Sequence, residues 1–241
     1  MNINNLIIGG CSFSSSGIGG VPPTDDSRGG CSFIDDVDYT TEVPISWSGF
    51  LSKRLQVTSL INVAVGGYGN FSTTYSIMEI LNRFNYDSNN TLVIMNLSDP
   101  MRLELPCSYN HHNATTWIPW DKSIIPYKYL HSEYKHLNKI KIDIGVDQIE
   151  QLTSNSIELL FNLLSHRKID FYFLMMNNYR DHKYLGPVIE KFKNNLIVLD
   201  PGISMMEFCQ LNNLTVSDTN LHPSVDGHRI IADIIYEHIT Q

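Results

Sequence analysis

Short apolar runs alternate with helical patterns along most of this chain, and that alternation constrains the fold more than any other feature. Leu6–Ile8 is the first apolar run. Ser46–Leu55 carries Trp47, Phe50, Leu51 and Leu55 at helical spacing, and Ser59–Val65 is a second strand ending at the Gly66-Gly67 turn. Phe71–Phe84 predicts a helix. Thr91–Asn96 is continuous and apolar, the pattern of a strand covered on both faces. Beyond it, Val146–His166 predicts a long amphipathic helix, Ile169–Met176 a strand, Gly186–Lys193 a short helix, Leu196–Leu199 a strand and Asp226–Ile239 the closing helix. Such alternation implies a parallel sheet with helices on both faces, an α/β fold. A chain of 241 residues is long enough for one well-buried domain, expected to span the whole sequence.

Two stretches break the rhythm. Gly17–Val43 is rich in Gly, Pro, Ser and Asp, and Met101–Asp143 concentrates Tyr109, Trp117, Trp120, Tyr127, Tyr129 and Tyr134 without clear periodicity. Both are expected to be long loops at the rim of a cleft, or insertions packed on the scaffold.

Composition excludes several function classes. A hydrophobic fraction of 42% and a charged fraction of 17% suit a folded globular chain, and a formal net charge of -8 opposes general binding to nucleic acid or anionic membranes. No window approaches eighteen continuous apolar residues, so no membrane span is expected. Met1-Asn2-Ile3-Asn4-Asn5 lacks a basic region before the first strand, so no signal peptide is expected, and the expected location is cytoplasmic or virion-associated. The four cysteines, Cys11, Cys31, Cys107 and Cys209, are scattered without a C-x-x-C pair, as free thiols in a reducing compartment would be. The histidine pairs His111-His112 and His131/His136 lack metal-ligand spacing, so neither a metal nor any other cofactor is expected.

The residues that carry chemistry sit at the two ends. Leu6-Ile7-Ile8-Gly9-Gly10-Cys11-Ser12 reads as a buried strand entering a small-residue turn that presents a serine at the carboxyl edge of the sheet. Cys11 beside it is the alternative nucleophile. Asp218-Thr219-Asn220-Leu221-His222-Pro223 supplies an acid and a histidine just before the last helix. Nucleophile, base and orienting acid in the order Ser…Asp…His suit an acyl-transfer enzyme. His228, on the helix, is expected to be structural.

Four blocks, Gly10-Cys11-Ser12, Asn62-Val63-Ala64-Val65-Gly66-Gly67, Asn96-Leu97-Ser98-Asp99 and Asp218…His222-Pro223, stand in the order found in the SGNH/GDSL hydrolases, which this chain resembles. Gly-Cys-Ser-Phe replaces Gly-Asp-Ser-Leu, as in a divergent branch common in phage and bacterial genomes. The resemblance implies a flavodoxin-like three-layer α/β/α sandwich that hydrolyses small acyl esters, often acetyl groups on carbohydrates. Ser12 would be the nucleophile, His222 the base, and the backbone N–H groups of Ser12 and Gly67 donors to the oxyanion. Asn62 would brace the turn.

Two positions depart from the family. Its acid lies three residues before the histidine, where this chain has Thr219; Asp218 is the favoured substitute, with Asn220 or a backbone carbonyl as alternatives. Its oxyanion asparagine falls on Ser98, leaving Ser98, Asn96 or two backbone donors to do that work. Trp117 and Trp120 offer flat faces for a sugar ring, and Arg102 a charge for an acidic substrate group. The partner expected is a small-molecule or glycan ester, with homo-oligomer or virion association also compatible. A rival expectation is a non-catalytic carbohydrate-binding or virion protein with a degenerate SGNH fold. Transfer of the acyl group to a sugar would use the same residues.

Overall fold

The computed structural model describes residues 3–11, 13–14, 32–35, 45–64, 69–84, 86, 88–100, 102–107, 116–121, 146–199, 204–218 and 220–241. Its main sheet has five strands: β1 (Asn5–Gly9), β2 (Ser32–Asp35), β3 (Ser59–Asn62), β4 (Thr91–Leu97) and β7 (Asp170–Met175), in the order β2-β3-β1-β4-β7. Only β2 runs antiparallel to its neighbour. Between β4 and β7 in the chain, β5 (Arg102–Cys107) and β6 (Thr116–Asp121) form a separate antiparallel pair.

Helices cover both faces. On one, Leu6, Ile8, Leu92 and Ile94 pack against α1 (Trp47–Leu55), α5 (Met205–Leu211) and α6 (Val225–Thr240). On the other, Ile7, Val93, Met95 and Leu97 pack against α2 (Asn70–Phe84), α3 (Val146–His166) and α4 (Leu185–Lys191). Successive side chains of a strand point to opposite faces, so a strand buried on both must be apolar throughout. All seven residues of β4 are buried. Each fully buried Leu or Ile of these two layers contributes about 1.5–3 kcal/mol of burial free energy. The three-layer α/β/α sandwich expected from the sequence is the observed fold.

Local chemistry sets the helix ends. Ser46 caps α1 by accepting from the Gly49 N–H, Ser224 caps α6 through the Gly227 N–H, and Ser204 with Glu207 forms a capping box on α5.

Several elements differ from expectation. Leu196–Leu199 is not a strand; its Leu196 makes one parallel bridge to Phe173. The stretch 59–65 pairs only as far as Asn62. The expected long loop 17–43 contains β2, and 101–143 contains the β5–β6 hairpin, while the remainder of both lies outside the described residues. Helix α5 has no counterpart among the expected elements.

Strand order positions the site. From β1 the chain moves through α1 to β3 on one side, then through α2 to β4 on the other. The carboxyl ends of β1 and β4 therefore flank the point where the winding reverses, where α/β sheets open a crevice.

At that point β1 meets α2 with no space to spare. A Cβ on Gly9 would lie 2.6 Å from Thr73 Cγ2 and 2.7 Å from Ile77 Cδ1. Thr and Ile are stiff on a helix, so neither moves aside freely. Gly9→Ala is therefore expected to destabilise the protein by about 1–3 kcal/mol, measured as a lowered midpoint in urea unfolding with an unchanged slope.

Candidate active site

The turn after β1 is built from residues around Ser12, which itself lies outside the described residues. Gly10 has φ +145°, and a Cβ there would meet Ser14 Oγ at 2.8 Å and Asn96 Cβ at 3.2 Å. The Ser14 N–H donates to Cys11 O at 2.9 Å, closing a turn between those two residues. Cys11 is fully buried with its Sγ 3.7 Å from Met176 Sδ, so its thiol faces the core.

Buried polar groups fasten this turn to three elements. The Trp47 Nε1–H donates to Phe13 O at 3.0 Å, from α1. Asn62 Nδ2 donates to Ser14 O at 2.8 Å while its Oδ1 accepts the Ala64 N–H at 2.9 Å. Thr73 Oγ1, on α2, lies 3.3 Å from Gly10 O and 3.0 Å from Gly69 O. Asn62 thus braces the turn from the end of β3.

His222 comes from a small hairpin before α6. Thr215 and Pro223 form an antiparallel bridge, the Val216 N–H donates to His222 O at 2.9 Å, and Ser217 and Asn220 exchange backbone bonds of 3.2 Å in both directions. Asp218 sits at the exposed tip of this hairpin, and Thr219 beside it lies outside the described residues. Asn220 meets the imidazole, its Oδ1 2.7 Å from His222 Nδ1. The reason is geometric: the turn closes between Ser217 and Asn220, so the chain has already doubled back toward His222 when it reaches Asn220.

The two ends of the chain meet here. The Phe13 ring stacks on the His222 ring, with centroids 4.6 Å apart and planes inclined by 25°. Since Phe13 directly follows Ser12, the stack puts the histidine beside the serine-bearing turn.

The third block is placed differently. Asn96 is fully buried at the end of β4, its Nδ2 3.7 Å from Met205 Sδ and its Oδ1 without a hydrogen-bond partner among the described residues. Ser98 is also buried, and Asn70 Oδ1 accepts from both its N–H (2.8 Å) and its Oγ (3.3 Å). Asn70 Nδ2 returns a bond to Ser98 O at 2.8 Å. Neither side chain is exposed at the crevice. Gly67, matched to the family's second oxyanion donor, lies outside the described residues. So do the side chains of Arg102, Trp117 and Trp120; on the backbone, Arg102 is opposite Asp121, Trp117 opposite Pro106 and Trp120 opposite Leu103.

Phe13, Trp47, Asn70 and Thr73 escaped the sequence analysis as site residues. Phe13 adjoins the serine, and Asn70 opens a helix after Gly69; both read locally as ordinary turn and helix-start residues. Only the tertiary contacts assign them their work.

His228, on the first turns of α6, is 5% exposed, and its Nδ1 has no hydrogen-bond partner among the described residues. Burial, reinforced by the nearby His222, lowers its pKa from 6.5 to about 4. Between those values the unfolded chain binds a proton that the folded chain refuses. The stability from keeping His228 neutral is full above pH 6.5 and is lost as pH falls toward 4. Urea unfolding at pH 7 and pH 5 should therefore show wild type losing about 2 kcal/mol more than His228→Leu over that step.

No family model matches this sequence, and no curated protein matches it. Solved structures do. An acetyl xylan esterase, AlAXEase, aligns over 98% of this chain and 99% of its own at 12% identity, with a TM-score of 0.50. The psychrotrophic esterase EstA from a Pseudoalteromonas species aligns over 98% and 97% at 12% identity, TM-score 0.49. A member of the lipolytic G-D-S-L family from Veillonella parvula aligns over 98% and 98% at 12% identity, TM-score 0.49. At such identity the likeness is one of fold alone, and it agrees with the three-layer α/β/α sandwich described above.

Proposed function

We propose that this chain is a serine esterase of the SGNH type, removing a small acyl group from an ester, with an acetylated carbohydrate as the substrate class. The observation that supports this reading most is the stack of His222 on Phe13, the residue that follows Ser12 in the sequence. The AlAXEase fold likeness supports the carbohydrate ester as the substrate class to test first.

Ser12 Oγ attacks the ester carbonyl while His222 Nε2 takes its proton. The tetrahedral oxyanion is held by the backbone N–H groups of Ser12 and Gly67, because Asn96 and Ser98 are buried and engaged elsewhere. His222 returns the proton to the departing alcohol, leaving an acyl-serine. Water then attacks that acyl group with its proton going to His222, which passes it to Ser12 Oγ as the acyl–oxygen bond breaks, releasing the carboxylic acid. The chemistry requires no cofactor. A hole with only two backbone donors lacks one typical contribution of about 3–4 kcal/mol, so turnover should be slow.

A non-catalytic carbohydrate-binding or virion module is the competing reading, favoured by the burial of both side-chain donors of the third block. Hydrolysis of p-nitrophenyl acetate separates the two. Ser12→Ala and His222→Ala should each lower kcat/KM by roughly a thousandfold or more while leaving the unfolding midpoint within a few degrees. Equal rates for all three folded proteins would overturn the esterase reading.

A further inference from the structure

We propose that Asn220, not Asp218, is the residue that positions His222, making this an uncharged Ser–His–Asn arrangement. The inference rests on Ser12 and His222 acting as proposed above, and goes beyond them to the third member.

The bond itself comes first. Asn220 Oδ1 lies 2.7 Å from His222 Nδ1 and also accepts the His222 backbone N–H at 3.2 Å. An amide can be turned end for end, but here its nitrogen would face a backbone donor, so the oxygen must occupy this position. An amide oxygen only accepts. Nδ1 therefore carries the proton of the neutral imidazole, and Nε2 keeps the lone pair that a general base needs.

The asparagine is itself held. Its backbone N–H meets Ser217 O at 3.2 Å and Ser217 Oγ at 3.0 Å, and its carbonyl accepts the Ser217 N–H. Two constraints then fix the ring: Asn220 sets its rotation and tautomer in the plane, and Phe13 lies flat against its face. Asp218, at the exposed tip of the same turn, is two residues upstream of this contact. An amide dipole supplies orientation and tautomer but no countercharge for the imidazolium formed in each proton transfer.

The test pairs kinetics with histidine nitrogen NMR. Asn220→Ala should lower kcat for p-nitrophenyl acetate by roughly 10- to 100-fold with KM within about twofold, while Asn220→Asp restores kcat to wild type or above. Asp218→Ala should stay within about threefold of wild type. In nitrogen-15 spectra, wild-type His222 should be the Nδ1–H tautomer, and Asn220→Ala but not Asp218→Ala should turn it into a mixture. Asp218→Ala costing as much as Asn220→Ala would overturn the proposal, as would an Nε2–H tautomer in wild type. If wild type has no turnover at all, the esterase reading fails, yet the tautomer still decides whether Asn220 positions the ring.

Discussion

The close fit of β1 against α2 is the constraint on which the rest of the site depends. Gly9 has no side chain because the methyl groups of Thr73 and Ile77 already fill that space, and Gly10 takes a φ that other residues rarely adopt. The strand therefore leaves the sheet at a fixed point and in a fixed direction. Everything attached to the next four residues inherits that precision. The carbonyls of Gly10, Phe13 and Ser14 each accept from a different element: α2, α1 and the end of β3. Buried acceptors of this kind are costly to leave unpaired, so the turn is held by interactions that few alternative shapes can satisfy.

The second half of the site is a hairpin that owes nothing to the main sheet. Its shape comes from the Thr215–Pro223 bridge and the reciprocal Ser217–Asn220 bonds, and α6 begins as soon as it ends. Gly227 belongs to the same design, since a Cβ there would come within 2.6 Å of Leu214 O. Helix α6 packs on α1, with Asp233 paired to Arg54, so the hairpin is carried on the same layer that supplies Trp47. Phe13 and His222 meet because one helical layer positions both ends of the chain.

Much of this was legible in the sequence. The apolar runs at 6–8 and 91–96 marked central strands because burial on both faces leaves no room for alternation, and His222 was marked by its place before proline and a helix. Asp218 drew attention because the family it resembles has its acid three residues before the histidine, and Asp218 lies one residue from that position. Which residue reaches the ring depends instead on where the hairpin closes, and spacing alone does not encode that. Leu196–Leu199 looked like a strand because it is apolar, yet only Leu196 pairs, and with a single bridge. The family's donor position fell on Ser98, with Asn96 as the alternative; both are buried, Ser98 bonded to Asn70 and Asn96 facing Met205.

The histidines at this end of the molecule divide by environment. His228, buried beneath the loop, stays neutral at pH 7, while His222 is half-buried with its Nδ1 2.7 Å from Asn220 Oδ1. The central claim is that the turn after β1 and the hairpin before α6 form one nucleophilic centre at Ser12. Treating the folded protein with a fluorophosphonate and mapping its peptides by mass spectrometry tests that claim most directly. The account predicts a single adduct on Ser12 that disappears when the protein is unfolded before treatment. A folded protein that takes no label, or takes it at another residue, would contradict it.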